Sequence, residues 1–169
     1  MTDTDPYAVP EAELSVDDAI GTPLAPRGAR LLGASLDGLI SGVIAVVLYS
    51  VTGYWDNILN NQMSLMELLG FTVVGLVVFF LVHGYALVHR GQTLGKMAAG
   101  TQIVDYESEE LVALPKLIGQ RYLPLAAVTL IPVIGNLLAL VNVLFIFRSD
   151  RRCVHDHIAH TKVIVFRSR

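Results

Sequence analysis

From about Arg30 onward the chain runs in uncharged apolar blocks separated by short polar connections. Gly38 to Trp55 carries no charge, and Leu68 to Val88 carries none apart from the imidazole of His83. Tyr122 to Phe147 is uncharged for 26 residues. A helical run of about 20 apolar residues matches the hydrocarbon thickness of a bilayer. The core helix of a water-soluble domain keeps a polar face instead. The pattern therefore predicts an all-α polytopic membrane protein. Its first span covers about Arg30 to Ser50 and its second about Leu65 to Val88. Between them lies a polar connection, Val51 to Ser64, whose Tyr54 and Trp55 suit the membrane interface.

The third block divides in either of two ways. It is one span from Tyr122, or two helices, about 114–130 and 137–147, broken at IPVIGN. Charge decides between them. Arg27 and Arg30 precede the first span, and the connection after it holds no base. Arg90, Lys96, Lys116 and Arg121 follow the second span. Arg148, Arg151, Arg152, Lys162, Arg167 and Arg169 follow the third block. Basic residues gather on the cytoplasmic side, so three passages would strand that last cluster outside. We expect four hydrophobic segments, the last short or re-entrant, with both termini inside.

A short repeat agrees. AAGTQIV (Ala98 to Val104) and IAHTKVI (Ile158 to Ile164) align at a spacing of 60, each after an apolar run and a basic stretch. Equivalent parts of a parallel repeat lie on one side of the membrane. Two short strands pairing at the cytoplasmic surface would satisfy their own backbone groups.

Composition sharpens the boundaries. Only 16% of residues are charged, against about 25% in soluble domains. The net charge of -3 (12 bases minus 15 acids) hides a division, because six acids and no base precede Arg27. Without them the balance is 12 minus 9, or +3. Residues 1–26 read as a disordered acidic cytoplasmic tail, and 27–169 as the membrane domain. No basic stripe suggests nucleic acid. The expected partners are the lipid bilayer and a second copy or another membrane protein. The single Cys153 excludes an intrachain disulfide.

Candidate chemistry begins in RLLGASLDGLISG. Arg30 and Asp37 lie two helical turns apart, which puts Asp37 about 10 Å deeper. A carboxylate there is costly unless it is paired, protonated or facing a wet cavity. It is either an ion- or proton-binding group or a fold anchor held by Arg30, Arg121 or a backbone group. Gly33, Gly38 and Gly42 read as close-packing positions. His83 is a proton relay or a neutral donor bonded across helices, and Asn136 and Asn142 read as interhelical bonding groups. Gly91 and Gly95 lack the G-K-[ST] close of a phosphate loop and read as a tight turn. Cys153, His155, His157 and His160 can all ligate a metal, but helical or extended spacing brings only two histidines together. No metal or cofactor is expected. Asp156 reads as an anchor for the end of the last helix against the arginines.

Three separated motifs then carry a resemblance: Arg-x6-Asp, GQTLGK…AAGTQIVD and HD-x-x-A-x-T-x-V. Together they resemble the RDD family of small bacterial membrane proteins, over roughly Pro26 to Val165, which implies the bacterial inner membrane. Arg30 and Asp37 fit the family's arginine and first aspartate. Asp105 or Asp156 supplies the second, and we favour Asp156. His160 stands where members often carry glycine, which implies a differently shaped turn. Some members resemble cation/proton antiporters in behaviour, which implies a monovalent cation and a role for Asp37. Two functions follow as expectations. One is a monovalent cation/proton transporter using Asp37 and His83. The other is a structural or accessory membrane subunit that binds a partner protein, with Arg30, Asp37 and Asp156 as fold-anchoring charges. Arg30, Arg121, Asp105 and Asp156 are expected to form a structural charge network. An enzyme has least support, with no HExxH, serine elbow or paired intramembrane aspartates.

Overall fold

Two helices are long and apolar enough to cross a membrane, α1 (Arg27–Ser50) and α3 (Leu65–Arg90). They belong to a computed structural model that describes residues 22–60, 62–131 and 134–166. The polar connection between them is partly helical: Tyr54–Leu59 forms α2, with Tyr54 packed on Tyr49 and Phe71. A capping box starts α3, the Ser64 hydroxyl accepting from the Glu67 N–H and the Glu67 carboxylate from the Ser64 N–H. Gly91, at φ 60°, ends it in the left-handed conformation that suits glycine.

The third apolar block is divided near Ile131. Its first piece runs through α5 (Leu114–Lys116), a π-helical stretch (Leu117–Tyr122) and α6 (Leu123–Thr129). Its second comprises α7 (Ile134–Leu144) and a 3-10 turn (Phe145–Phe147). These pieces are shorter than α1 and α3. By length and apolar character, two helices among the described residues qualify as spans, where four segments were expected.

At one end the chain builds a polar cap from α4 (Leu94–Ala98), β1 (Thr101–Asp105), α8 (Val154–Ile158) and β2 (Thr161–Val165). The strands pair antiparallel, from Thr101↔Val165 to Asp105↔Thr161. Their central pair, Ile103↔Val163, joins residues 60 apart. A local two-fold axis through that pair therefore exchanges the two copies of the repeat. The copies match well beyond the seven residues legible in the sequence. Thr93 and Cys153 are the N-caps of α4 and α8. The side chains of Gln92 and Arg152 donate to the carbonyls of Thr101 and Thr161, at 2.7 and 3.0 Å. Gly100 and His160 both turn through positive φ, 63° and 51°. His160 thus keeps the turn of the glycine copy rather than reshaping it, histidine being among the side chains that tolerate this region.

The core, formed by Ala25, Leu87, Ile103, Val112, Leu117 and Val163, lies in and against this cap. The buried residues of α1 are Arg30 and Gly33, and those of α3 are His83, Ala86 and Leu87. Farther along, Leu39, Val43 and Val47 of α1 and Val73, Val77 and Leu81 of α3 are exposed. Gly33 meets the backbone of Gly95, but Gly38 and Gly42 face open space, so one of the three expected packing glycines packs. Most of the expected acidic tail, residues 1–21, lies outside the described residues. Its last five residues, expected to be loose, join the folded body. Leu24 bridges Ile164, Ala25 is fully buried, and the N–H of Ala25 bonds the Val163 carbonyl at 3.0 Å.

Candidate functional site

The cap holds two charge clusters of different character. The first centres on Asp156, the third residue of α8, whose side chain is 0% exposed. Its Oδ2 accepts from Arg30 Nη2 at 2.5 Å and from the Cys153 N–H at 2.9 Å. Its Oδ1 accepts from Arg121 Nη1, which also donates to the Thr161 hydroxyl at 2.6 Å. Arg30 further donates to the carbonyl of Arg151. One carboxylate thus joins the start of α1, the π-helical stretch and α8. Burial alone would raise its pKa, but the charges of Arg121 and Arg30 outweigh that and hold the carboxyl far below the usual range.

Asp105 is not part of this cluster. It lies at the end of β1, paired with Lys116 at 2.8 Å and accepting from the Glu107 N–H at 3.1 Å. The Lys116 hydrogen bond is the main reason its carboxyl is lowered to about 2. The expected four-member network therefore separates into a three-member buried cluster and one peripheral pair.

The second cluster surrounds Asp37. Arg30 does not reach it. Instead the first turn of α4 lies against α1, and Asp37 receives that turn. Oδ1 accepts from the Gly95 N–H at 2.7 Å, and Oδ2 accepts from the Thr93 hydroxyl. Lys96 Nζ stands 3.6 Å away. The Leu94 N–H donates to His83 Nδ1 at 3.2 Å, and that nitrogen lies 4.0 Å from Asp37 Oδ1. The unpaired N–H groups of a helix start, with their partial positive charge, are thereby bound by two side chains of the long helices. Gly95 permits the approach, because a Cβ there would strike the Gly33 carbonyl and come within 2.8 Å of Asp37 N and Oδ1.

The two clusters are variations on one scheme. At a spacing of 60, Lys96 corresponds to Asp156. In the second copy the short helix brings its own carboxylate and receives arginines from α1 and the π-helical stretch. In the first copy the short helix brings the cation and receives its carboxylate from α1. Thr93, Lys96, Gln92 and Arg152 were absent from the sequence candidates. Extending the 60-residue alignment upstream to Gln92 and Arg152 would have found all four.

The cysteine- and histidine-rich segment brings Cys153, His155 and Asp156 together, with potential ligand atoms within 4.8 Å of one another. Two of the three residues are already engaged: Asp156 is held by arginines, and Cys153 Sγ lies 3.7 Å from Arg30 Nη2. His155 faces Asp156 with Nε2 at 3.6 Å and bonds Asn142 Oδ1 through Nδ1 at 2.9 Å. Two guanidiniums at the spot also repel a metal cation. His157 pairs with Asp150 at 3.1 Å and His160 with Glu107 at 3.3 Å, both away from the trio. The side chain of Asn136 lies outside the described residues.

Burial, with Arg121 adding to it, lowers His155 to about 3. A histidine with a lowered folded pKa contributes stability that is full above its unfolded pKa, about 6.5, and falls as pH drops below that. The melting temperature of the detergent-purified chain is expected to fall between pH 6.5 and 5. His155→Gln should flatten that stretch of the profile, and an unchanged slope would contradict the assignment.

Compared with known proteins, residues 24–160 match the RDD family, covering most of the chain. No curated protein and no solved structure matches it.

Proposed function

This chain belongs to the RDD family, and from that premise we propose that it is a structural or accessory subunit of the bacterial inner membrane. In this reading Asp37 is an anchor of the fold. The carrying observation is the commitment of both Asp37 oxygens, one to the Gly95 N–H and one to the Thr93 hydroxyl, with Lys96 alongside. A carboxylate that exchanges ions must release such partners in every cycle. The exposed faces of α1 and α3 offer lipid, a second copy or another membrane protein a long apolar surface.

The proposed topology has four passages and cytoplasmic termini. The start of α1, the end of α3, the start of the third block and the chain after α7 converge on one cap. Arg27, for example, donates to the carbonyls of Ile146 and Phe147, at 3.3 and 3.4 Å. A chain that returns to the same cap twice crosses an even number of times, and the basic residues there favour the cytoplasmic side.

A second reading, a monovalent cation/proton transporter, is favoured by the 4.0 Å approach of His83 to Asp37. Reconstitution separates the two. Liposomes carrying the wild-type chain and an imposed pH gradient are expected to dissipate it no faster than empty liposomes when sodium or potassium is added. Cation-dependent dissipation would favour the transporter.

A further inference from the structure

A cavity of about 430 Å³ lies among α1, α3 and α6 and reaches the Asp37 cluster at one residue of it, His83. It follows α3 from Leu68 to His83, which is about 22 Å of helix rise. A volume of that size spread over that length is a slot one chain wide. Its walls are aliphatic and aromatic, among them Ile44, Leu76, Phe79 and Leu125. The far end is closed by the aromatic group of Tyr49, Tyr54 and Phe71. The hydroxyls of Tyr49 and Thr72 there are spent on the carbonyls of Phe71 and Leu68.

The cap end is different. His83 is 1% exposed, and its Nε2 is buried without a hydrogen-bond partner among the described residues. Its tautomer follows from its neighbour. The Leu94 N–H donates to Nδ1, so Nδ1 is the acceptor and a neutral ring carries its proton on Nε2. The slot therefore ends at a donor that lacks an acceptor. Ser41 and Tyr122 also bring hydroxyls to the lining, so a water can sit among them, but a single water leaves most of the apolar length unfilled. An occupant must bring an acceptor oxygen on a long apolar body.

We propose that this slot binds a single acyl chain, its terminal carbonyl or carboxyl oxygen accepting from His83 Nε2–H. His83 lies seven residues before Arg90, about 10 Å of helix rise below the basic end of the span. That is a reasonable depth for the carbonyl of a chain lying alongside the helix. A free fatty acid and one acyl chain of a phospholipid share this chemistry. The proposal stands independently of whether the chain transports ions.

The test uses the full chain in lipid nanodiscs with two probes carrying a mid-chain diazirine, palmitic acid and a phosphatidylglycerol acylated with that acid. After illumination, labelled peptides are mapped. At least one probe is expected to label the α1 and α3 segments containing Ile44 and Leu76 more strongly than those containing Val43, Val47 and Val73 alone would explain, as judged by residue-level assignment. The probe that does so identifies the source. Ala45→Phe fills the slot, and Leu125→Trp fills it from the opposite wall. Either, melting like the wild type, should remove the slot label. His83→Phe should weaken it about fivefold, the equilibrium equivalent of one hydrogen bond. Label spread evenly over the outer faces, label that survives the filling variants, or label undiminished in His83→Phe overturns the proposal.

Discussion

Asp156→Asn is expected to cost about 3–5 kcal/mol, the typical penalty for breaking a buried ion pair by removing one partner. The loss falls on two cations at once. Arg30 and Arg121 are 6% and 4% exposed, and both depend on this carboxylate for charge. Asparagine can still accept a hydrogen bond, but it leaves two guanidiniums buried without a counter-charge. For a chain of this size the penalty corresponds to a fall in melting temperature of at least about 6 °C, or to failure to accumulate folded protein. Asp105→Asn supplies the contrast. Its ion pair with Lys116 is partly exposed, so its loss should cost under about 1 kcal/mol. Thermal melting and size-exclusion chromatography in detergent measure both. An Asp156→Asn protein that melts with the wild type would refute the role of the cluster.

Gly95→Ala is the second large effect. The added methyl would meet the backbone of α1, at the Gly33 carbonyl and the Asp37 amide, together with the Asp37 carboxylate. A flexible side chain could swing aside, but two helix backbones cannot. The expected result is separation of α4 from α1, loss of the Gly95 N–H bond to Asp37, and destabilisation near the top of the overpacking range, about 3 kcal/mol. Gly38→Ala, on α1 beside Asp37, is the control. A Cβ there meets nothing within 4 Å, and alanine gains up to about 1 kcal/mol of helix propensity. Equal melting temperatures for the two variants would show that the glycine contact does not hold the cap to the span.

What the sequence made legible was set by how far each signal reaches. Apolar runs reported α1 and α3 directly, because a span's length is imposed by the bilayer rather than by its neighbours. The break at IPVIGN located the division of the third block, but the lengths of its pieces depend on packing that periodicity does not encode. The 60-residue spacing announced the strand pair, and Ile103 does face Val163 across it. The partners of the charges were harder. Arg30 and Asp37 share a helix face, which invites pairing them, yet each looks to a different copy of the repeat. Arg30 goes to Asp156 in the second and Asp37 to Gly95 in the first. A backbone group was among the expected partners of Asp37, but a backbone N–H has no side-chain signature. That it belongs to Gly95 was legible only once α4 was seen against α1. Asp105 was drawn into the network on residue type, and its place at the end of β1 removes it.

The same geometry changes the meaning of the histidine-rich end. His155 is neutral and bonded to Asn142, and Asp156 is the carboxylate on which the arginines converge. The segment is the second half of a symmetric cap, and its Asp156 joins α8 to α1 and the π-helical stretch.

The most direct test of Asp37 as an anchor reads stability and ion flux together. Asp37→Asn and Asp37→Ala would be compared with the wild type by thermal melting in detergent and by cation-dependent proton flux in liposomes. As an anchor, Asp37 lost to alanine should cost about 2 kcal/mol, as for removal of a strong helix cap. Asparagine should cost less, because its carbonyl still accepts from Gly95, and flux should equal that of empty liposomes for all three proteins. Wild-type flux that vanishes in Asp37→Asn while the melting temperature stays fixed would contradict the account.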